Sequence, residues 1–313
     1  MSSTSRRSAH MIVNPFAGGG KAGKRWHHAV LALREAGVDP TWTITEGPGH
    51  ATELAETAAR AGYDMVIPFG GDGTAHEVAN GLLRVDGAPP LASVQSGSGN
   101  AVADFLGYPR GHAAQIEFLK STWEQRIDVG WAEYEGFDGP ERRAFLLIGG
   151  AGWSATVIKR SLEYKRLGNM TTYFAAMLRE WWNVTSVPAD VTLDGTRERL
   201  NLTDLSVVNP PMGNGGMKLA PTADPTDGVM EAVQVLEQDR MGLLRVMAGM
   251  FNGTHLDRPG VRLSRTTDVR IEPDEPMAVQ LDGEFVGHTP VTFSVQPGGL
   301  NVLAGEILRG EGA

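Results

Sequence analysis

The residues best suited to chemistry lie between Met65 and Asn80, where an apolar run passes through glycines into a helical pattern. Met65–Phe69 predicts a buried strand, and the residues from Thr74 onward have helical spacing. Between them, Gly70-Gly71-Asp72-Gly73-Thr74 allows a sharp turn and leaves no Cβ to block a ligand. Thr74 is a good N-cap for the next helix, and the open amides of a helix start attract anions.

Asp72 indicates which chemistry this loop would serve. An acid inside a phosphate-binding loop is repulsive unless it holds a metal or takes a proton, and that combination is typical of phosphoryl transfer. The alternative is a tight strand-to-helix turn with no chemical role.

Composition sets the outer limits. The chain has 313 residues, 41% of them apolar, and no cysteine, which fits one large or two ordinary globular domains in a reducing compartment. No stretch approaches the ~18 apolar residues of a membrane span, and the apolar run after the polar N-terminus is too short for a signal peptide. A net charge of −9 argues against general nucleic-acid binding. We therefore expect a cytoplasmic protein.

The elements that position Asp72 alternate between strand and helix over residues 10–126. This alternation predicts an α/β domain with a parallel sheet, whose ligands bind at the carboxyl ends of the strands. The predicted strands are His10–Asn14, Thr41–Thr45, Met65–Phe69 and Leu91–Gln95, and the predicted helices are Lys21–Glu35, Ala51–Arg60, Ala75–Leu83 and Ala101–Leu106.

Three further loops would share that edge. Gly18–Arg25 resembles both a dinucleotide-binding fingerprint and a P-loop. It is too far from the preceding strand for the dinucleotide fingerprint. It does not match a P-loop because Arg25 stands where that motif has a magnesium-binding hydroxyl. Thr45–Gly49 and Ser96–Asn100 supply hydroxyl and amide groups. Together with the Asp72 loop, they indicate a nucleotide triphosphate site.

From residue 127 to 313 the pattern predicts a second, mostly antiparallel domain of the β-sandwich type that holds the lipid substrate, and a return of the extreme C-terminus to the first domain is left open. Asp194-Gly195 and Asp282-Gly283 are hairpin signals within it. The predicted strands are Ile127–Glu135, Arg143–Gly149, Ala189–Leu193, Thr203–Val208, Val229–Leu236, Val261–Ile271, Met277–Leu281 and Val291–Val295, and the predicted helices are Ser154–Arg166, Met170–Asn183 and Met241–Phe251.

The helix Met170–Asn183 carries apolar residues at helical spacing over three turns, ending in Trp181 and Trp182. Core packing is the default interpretation of such a stripe. Adjacent tryptophans with basic residues upstream also suit a membrane-contacting helix or a wall of a lipid pocket.

These motifs, taken in order, resemble the diacylglycerol kinase-like lipid kinases, including the relatives of sphingosine kinase. The resemblance covers nearly the whole chain. Its motifs are Val13-Asn14-Pro15, Gly70–Thr74 with Glu77–Gly81, Ser96–Asn100, Ile127–Gly130, Pro221–Gly228 and Asp282-Gly283-Glu284.

The resemblance implies a phosphofructokinase-like nucleotide domain, a C-terminal β-sandwich and an active site in the cleft. It implies ATP and Mg²⁺ as cofactors, with Glu284 as the general base, Asp72 as the acid of the nucleotide loop and Asp128 as a supporting acid. Asp224, Asp227 and the carbonyl of Val229 match a magnesium site, although the same residues also read as a plain turn. The residues that match contacts to ATP are Asn14, Thr45, Gly70, Gly71, Asp72, Gly73, Thr74, His76, Ser98 and Asn100.

One departure bears on the substrate. Many bacterial members have Gly-Thr-x-Asn-Asp-Phe where this chain has Gly-Ser-Gly-Asn-Ala-Val, which is closer to the sphingosine kinase branch. The lipid, diacylglycerol-like or sphingoid-like, is therefore left open. The alternatives are an NAD kinase-like enzyme and a catalytically inactive lipid-binding regulator. The expected partners are the lipid substrate and a membrane surface, contacted peripherally, with no nucleic acid; a homodimer is left open.

Overall fold

A computed structural model describes residues 6–95, 97, 99–167, 169–212 and 217–310. The chain divides into two compact units. The first comprises Met1–Ile127 with Gly298–Leu308, and the second comprises Asp128–Pro297 with Arg309–Ala313. Among the described residues, no helix is both long and apolar enough to cross a membrane.

The first unit is built on a parallel sheet, as the alternating pattern predicts. Its strands β1 (Arg7–Val13), β2 (Val38–Ile44) and β3 (Met65–Phe69) lie in the order β2-β1-β3. Every residue of β3 is buried, because the strand is covered on both faces. The helices of this unit are α1 (Lys21–Glu35), α2 (His50–Ala61), α3 (Asp72–Leu82), α4 (Ala101–Phe105) and α5 (His112–Phe118).

The predicted strand Leu91–Gln95 is wrong in extent. Only Leu91 forms bridges, to Val66 on one side and to Val302 on the other, both parallel. The ladder does not continue, since the backbone N–H of Gln95 donates to the side chain of Gln115 (2.8 Å). A side-chain acceptor thus replaces a strand partner.

The second unit is an antiparallel sheet that closes on itself. The strands are β4 (Trp123–Glu135), β5 (Pro140–Phe145), β6 (Ile148–Gly152), β7 (Val187–Leu193), β8 (Thr196–Val208), β9 (Met230–Leu236), β10 (Val261–Thr266), β11 (Asp268–Pro273), β12 (Ala278–Leu281) and β13 (Glu284–Ala304). The start of β4 and the end of β13 belong to the first unit. Six strands form the ring β8-β6-β12-β13-β11-β7, and β7 pairs back to β8; β9 and β10 extend the sheet from β8. The ring encloses a core that includes Phe145, Leu205, Val279 and Phe293.

Both predicted hairpins are confirmed. Asp194-Gly195 joins β7 to β8, and Asp282-Gly283 joins β12 to β13. All four residues have positive φ, between 44° and 85°, as a two-residue hairpin loop of the type I′ class requires. The Asp-Gly dipeptide is enough to predict this geometry, since both residue types tolerate left-handed backbone.

Several predicted strands of this unit have different bounds; Thr203–Val208, for example, is the C-terminal part of the longer β8. Val261–Ile271 is two strands, β10 and β11, because the Asp194 carboxylate accepts the amides of Thr267 and Asp268 and turns the chain there. Arg143–Gly149 is likewise split between β5 and β6, and Val291–Val295 is the middle of the longer β13.

Three helices flank this sheet: α6 (Trp153–Ser161), α7 (Asn169–Trp182) and α8 (Arg240–Gly249). For the described side chains of α7, core packing of the apolar stripe is wrong. The buried positions are Thr172, Ala176 and Glu180, whereas Leu178 and Trp182 are exposed. Glu180 can be buried because Arg160 of α6 pairs with it at 2.7 Å.

Candidate active site

In the first unit, the loops that follow β1 and β3 are tied together by Asn14. Its backbone N–H donates to the carbonyl of Phe69 (3.0 Å), which ends β3. Its side-chain Nδ2 donates to Thr74 Oγ1 (3.1 Å), while Oδ1 accepts the N–H of Phe16 (3.1 Å). Asn14 therefore holds two loops at the carboxyl edge of the sheet, where an α/β protein binds its ligands.

The glycine loop begins α3 earlier than predicted. The helix starts at Asp72 with Gly71 as its N-cap, so Thr74 is not the cap but lies within the first turn. The Thr74 side chain is buried instead and accepts from Asn14. It packs so closely on Gly70 that a Cβ there would lie 2.2 Å from Thr74 Oγ1.

The Asp72 loop lies directly against Gly97. A Cβ on Gly97 would come within 2.7 Å of the Cα of Gly71, so only glycine permits this approach. Asn100 closes its own loop, since Oδ1 accepts the N–H of Gly97 (3.1 Å) and Nδ2 donates to the Gly97 carbonyl (3.2 Å). Ser98, a predicted contact to ATP, lies outside the described residues.

Asp72 also bonds to helix α4, which follows Asn100. Its Oδ1 accepts the N–H of Val102 (3.0 Å), in the first turn of α4. A carboxylate at a helix start is stabilised by the free amides there. The structure therefore gives Asp72 a contact within the protein that its sequence context does not reveal, in addition to the predicted chemical role.

The first turn of α3 is open on the side of Gly73. Apart from its chain neighbours and the backbone of its own helix, no atom of the described residues lies within 4 Å of where a Gly73 Cβ would stand, so their packing does not require glycine there. The N-cap Gly71 has no side chain to accept the first-turn amides. An open helix start without a side-chain cap is a ready site for an anion such as a phosphate.

Two further predicted nucleotide contacts, Thr45 and His76, are buried. Thr45 follows β2 and is buried, with its N–H donating to the Val13 carbonyl (2.8 Å). His76 is buried within α3. Sequence reasoning assigned no role to Glu77, yet its Oε2 accepts the N–H of Ala51 at the start of α2 (3.1 Å).

In the second unit, Glu284 begins β13 and lies beside Arg143 of β5. Arg143 Nη2 donates to Glu284 Oε2 (2.8 Å), and the glutamate side chain is mostly exposed. The ion pair gives one carboxylate oxygen a defined direction. Arg143 is a neighbour that the sequence does not suggest, because it is 141 positions away.

Asp282, which sequence reasoning used only as a turn residue, anchors the hairpin that carries Glu284. Its carboxylate accepts three consecutive backbone amides, from Leu146 (2.9 Å), Leu147 (2.8 Å) and Ile148 (2.9 Å). Three such bonds fix the turn against the segment between β5 and β6. The Asp-Gly dipeptide indicates the turn but not this anchoring.

Asp128 is buried, and the structure shows it binding the loop that contains the predicted metal ligands. Its Oδ2 accepts the N–H of Gly228 (2.7 Å), and its own N–H donates to the Pro225 carbonyl (2.7 Å). Asn209, which sequence reasoning missed, donates through Nδ2 to the carbonyls of Asp128 and Leu146 (2.9 Å each).

The predicted magnesium ligands sit in that loop. Asp224 Oδ1 accepts from Thr226 N–H and Oγ1, and no described residue donates to Asp224 Oδ2. Asp227 Oδ1 accepts the N–H of Val229 (3.1 Å), and its Oδ2 pairs with Arg265.

An all-oxygen set suits a hard cation. Among the described residues, however, no group of three or more acidic or imidazole side chains could hold a metal. These residues therefore fit Mg²⁺ only if Arg265 releases Asp227.

Comparison with known proteins places the chain among relatives. Residues 8–132 match the family model described as the diacylglycerol kinase catalytic domain, and residues 148–304 match the YegS C-terminal NAD kinase beta sandwich-like domain. The chain is 30% identical over 296 residues to a diacylglycerol kinase of Mycobacterium tuberculosis, an alignment that covers 93% of each protein. It belongs to the diacylglycerol kinase-like family of lipid kinases.

Two further relatives support the same family. A Pseudomonas aeruginosa protein named "Probable lipid kinase YegS-like" is 30% identical over 276 residues, which is 88% of this chain and 87% of that one. A crystal structure of a candidate diacylglycerol kinase from Bacillus anthracis str. Sterne superimposes with a TM-score of 0.80 at 25% identity, covering 98% of both chains. The resemblance drawn from the motifs is confirmed, and the protein is a lipid kinase.

Proposed function

We propose that this lipid kinase transfers the γ-phosphoryl group of ATP to a hydroxyl of a diacylglycerol- or sphingoid-like lipid. The observation that carries the proposal is the start of α3, where Gly71 supplies no side-chain cap and, among the described residues, no neighbouring side chain or loop fills the space beside Gly73. A triphosphate fits such a site because the amides and the helix dipole favour negative charge. Asn14 and the Gly71–Gly97 contact hold the surrounding loops in place.

The acceptor side of the reaction is assigned to Glu284. The relatives' names supply the acceptor class: the Mycobacterium tuberculosis relative is a diacylglycerol kinase. A carboxylate that reaches the lipid hydroxyl within about 3 Å can remove its proton as phosphoryl transfer proceeds. The ion pair with Arg143 turns Oε2 toward the protein and leaves Oε1 for the acceptor.

Magnesium is part of the proposal. Asp224, Asp227 and the Val229 carbonyl would hold the Mg²⁺ ion through oxygen atoms. When bound, the ion would add positive charge and tie these oxygen ligands together. Asp128 orients that loop through the Gly228 N–H. Since the acceptor is a membrane lipid, we place the enzyme in the cytoplasm, in peripheral contact with a bilayer.

The test is turnover with defined acceptors. The purified full chain is incubated with Mg²⁺ and γ-labelled ATP, together with dioleoylglycerol in mixed micelles, sphingosine in mixed micelles or NAD in solution. Label in the lipid fraction is expected, and the ratio between the two lipids decides the substrate class. Label in NAD alone would establish the NAD kinase-like alternative. Absence of label with every acceptor, from a protein that binds lipid, would favour the inactive regulator.

A further inference from the structure

Helix α7 shows the reverse of the usual amphipathic arrangement. Its buried positions, Thr172, Ala176 and Glu180, are four residues apart and are small or polar. Among its described large apolar side chains none is buried, and Leu178 is 49% exposed and Trp182 60% exposed. A helix on a soluble surface normally buries its apolar stripe, so an outward stripe indicates another contact.

Helix α8 has the same feature on a second element. Met241 is 48% exposed and Leu244 is 42% exposed, and Phe251, just beyond the helix end, is 64% exposed. Arg245 and Ala248 are also exposed, so the outward positions follow helical spacing. The opposite face is already satisfied, because it packs into the unit through buried positions that include Leu243 and Val246.

The C-terminal end of α7 meets the N-terminal end of α8. Trp181 Nε1 donates to the Arg240 carbonyl (2.8 Å), and the Arg240 guanidinium lies 4.5 Å from the centroid of the Trp182 ring. This cation–π contact keeps an arginine beside the exposed indole. We call the outward residues Leu178, Trp182, Met241, Leu244 and Phe251 the α7–α8 surface.

The arginines beside the α7–α8 surface lack ion-pair partners among the described residues. Within the described part of the chain, Arg179, Arg240 and Arg245 have no carboxylate at ion-pair distance. The nearby acids are engaged elsewhere, since Asp239 accepts the N–H of Gly242 (2.6 Å) as an N-cap and Glu180 pairs with Arg160. Arginines on the sheet of the same unit, by contrast, are paired with acids: Arg197, Arg199, Arg262, Arg265 and Arg270.

We propose that the α7–α8 surface docks on an anionic lipid bilayer, an inference that rests on the proposed function as a lipid kinase. Exposed Trp, Leu, Met and Phe side chains enter the interfacial region, and the unpaired arginines bind anionic head groups. The net charge of the chain, −9, repels an anionic bilayer, so the attraction has to come from a local group of basic residues. Here the arginines lie beside the exposed apolar side chains.

A second copy of the chain is a poorer occupant of this surface. In a two-fold dimer the same patch meets itself. The arginines beside this surface in one copy would then be brought close to the same arginines of the other copy. An anionic bilayer satisfies the apolar and the basic residues together.

The test is co-sedimentation with vesicles of phosphatidylcholine containing phosphatidylglycerol, and with vesicles of phosphatidylcholine alone, in the absence of ATP. The double variant Leu244→Ser/Phe251→Ser should lose affinity for the anionic vesicles by about tenfold or more, because it removes inserting apolar area. Arg245→Glu should lose the preference for anionic over neutral vesicles. Leu31→Ser is the matched control, since Leu31 is 55% exposed on α1 in the first unit.

The melting temperature of each variant shows whether it is folded, and light scattering reports its mass. Unchanged vesicle affinity in folded Leu244→Ser/Phe251→Ser and Arg245→Glu proteins would overturn the inference. So would a wild-type dimer that becomes monomeric in the double variant while vesicle binding persists. The proposed function is checked separately, by wild-type turnover of micelle-free dioctanoylglycerol. If that turnover fails while vesicle binding depends on the α7–α8 surface, the docking stands without the kinase proposal.

Discussion

At the residue scale, the proposed acid–base chemistry depends on two carboxylates with different surroundings. Glu284 is largely exposed and holds one arginine, whereas Asp72 accepts a helix-start amide between two glycine loops. Neither contact by itself decides which carboxylate takes the proton from the acceptor. Each can be replaced by an amide that keeps its observed hydrogen bond, so the two roles can be separated by substitution.

Replacing Glu284 with glutamine should lower lipid phosphorylation by about 10²–10⁴-fold, because a general base supplies that range. The glutamine oxygen can still accept from Arg143, so folding should be retained. ATP affinity should change little, since the predicted nucleotide contacts lie in the other unit. The hairpin itself does not need the acid, as Asp194-Gly195-Thr196 turns without one. The measurement is kcat on dioleoylglycerol together with ATP binding by calorimetry.

Replacing Asp72 with asparagine should reduce activity to less than about a tenth of wild type while the melting temperature stays close to that of wild type. The asparagine Oδ1 can still accept from Val102 N–H, so the join between the two loops survives. Activity at or above that level would remove Asp72 from the mechanism. A normal Glu284→Gln enzyme beside an inactive Asp72→Asn enzyme would instead assign the proton to Asp72.

At the scale of elements, α6 is held at its start by an acid from the sheet. Asp204 of β8 is buried, and its carboxylate accepts the N–H of Ser154 (2.7 Å) and the Ser206 hydroxyl (3.0 Å). Burial raises the pKa of Asp204 above the ordinary value, and the two hydrogen bonds only partly offset this. Because the folded protein binds the proton more tightly than the unfolded chain, the stability contributed by Asp204 is complete below its ordinary pKa. That stability is lost as pH rises toward the folded value.

Asp204→Asn should therefore become more stable relative to wild type as pH rises above about 4. The difference in the free energy of unfolding should grow by up to about 1.4 kcal/mol per pH unit until the folded pKa is passed. Urea unfolding of both proteins at several pH values measures this difference. If the difference in the free energy of unfolding between the two proteins does not vary with pH, folding does not change the pKa of Asp204.

At the scale of the whole molecule, metal binding should increase the free energy of unfolding. A ligand that binds only the folded state at 100 times its Kd adds about 2.7 kcal/mol. The predicted loop is preorganised by Asp128, but Arg265 occupies Asp227 and would compete with a cation. Thermal unfolding of the full chain thus reports whether the loop binds magnesium, independently of turnover.

Magnesium should raise the melting temperature of wild type by a few degrees, and chelator should reverse the effect. Asp227→Asn should abolish the shift, whereas Arg265→Gln should produce it at lower magnesium concentration because the competing cation is gone. Asp190→Asn is the control, since Asp190 is also paired with arginines but lies on β7 outside the loop. A wild-type melting temperature that is indifferent to both magnesium and chelator would leave these residues as a turn.

The sequence by itself determined the features that local pattern carries. Apolar runs followed by helical spacing predicted the parallel sheet and its helices, and Met65–Phe69 and Lys21–Glu35 have the predicted bounds. Both hairpins could be predicted because Asp and Gly tolerate the left-handed backbone conformation that a two-residue turn requires. Glycine spacing around Asp72 indicated a phosphate-binding loop because such loops need little beyond backbone freedom.

Only the tertiary structure decided which distant groups meet. Distant partners decide the pairing of Arg143 with Glu284 and the three amides that Asp282 binds. A partner 20 residues away also binds the Gln95 amide, at the end of the segment predicted to be a strand. The orientation of α7 is the clearest case, because periodicity defines an apolar stripe but not the side of the helix that faces the protein. Buried Glu180 could turn toward α6 because Arg160 pairs with it there, whereas Leu178 and Trp182 are at the surface.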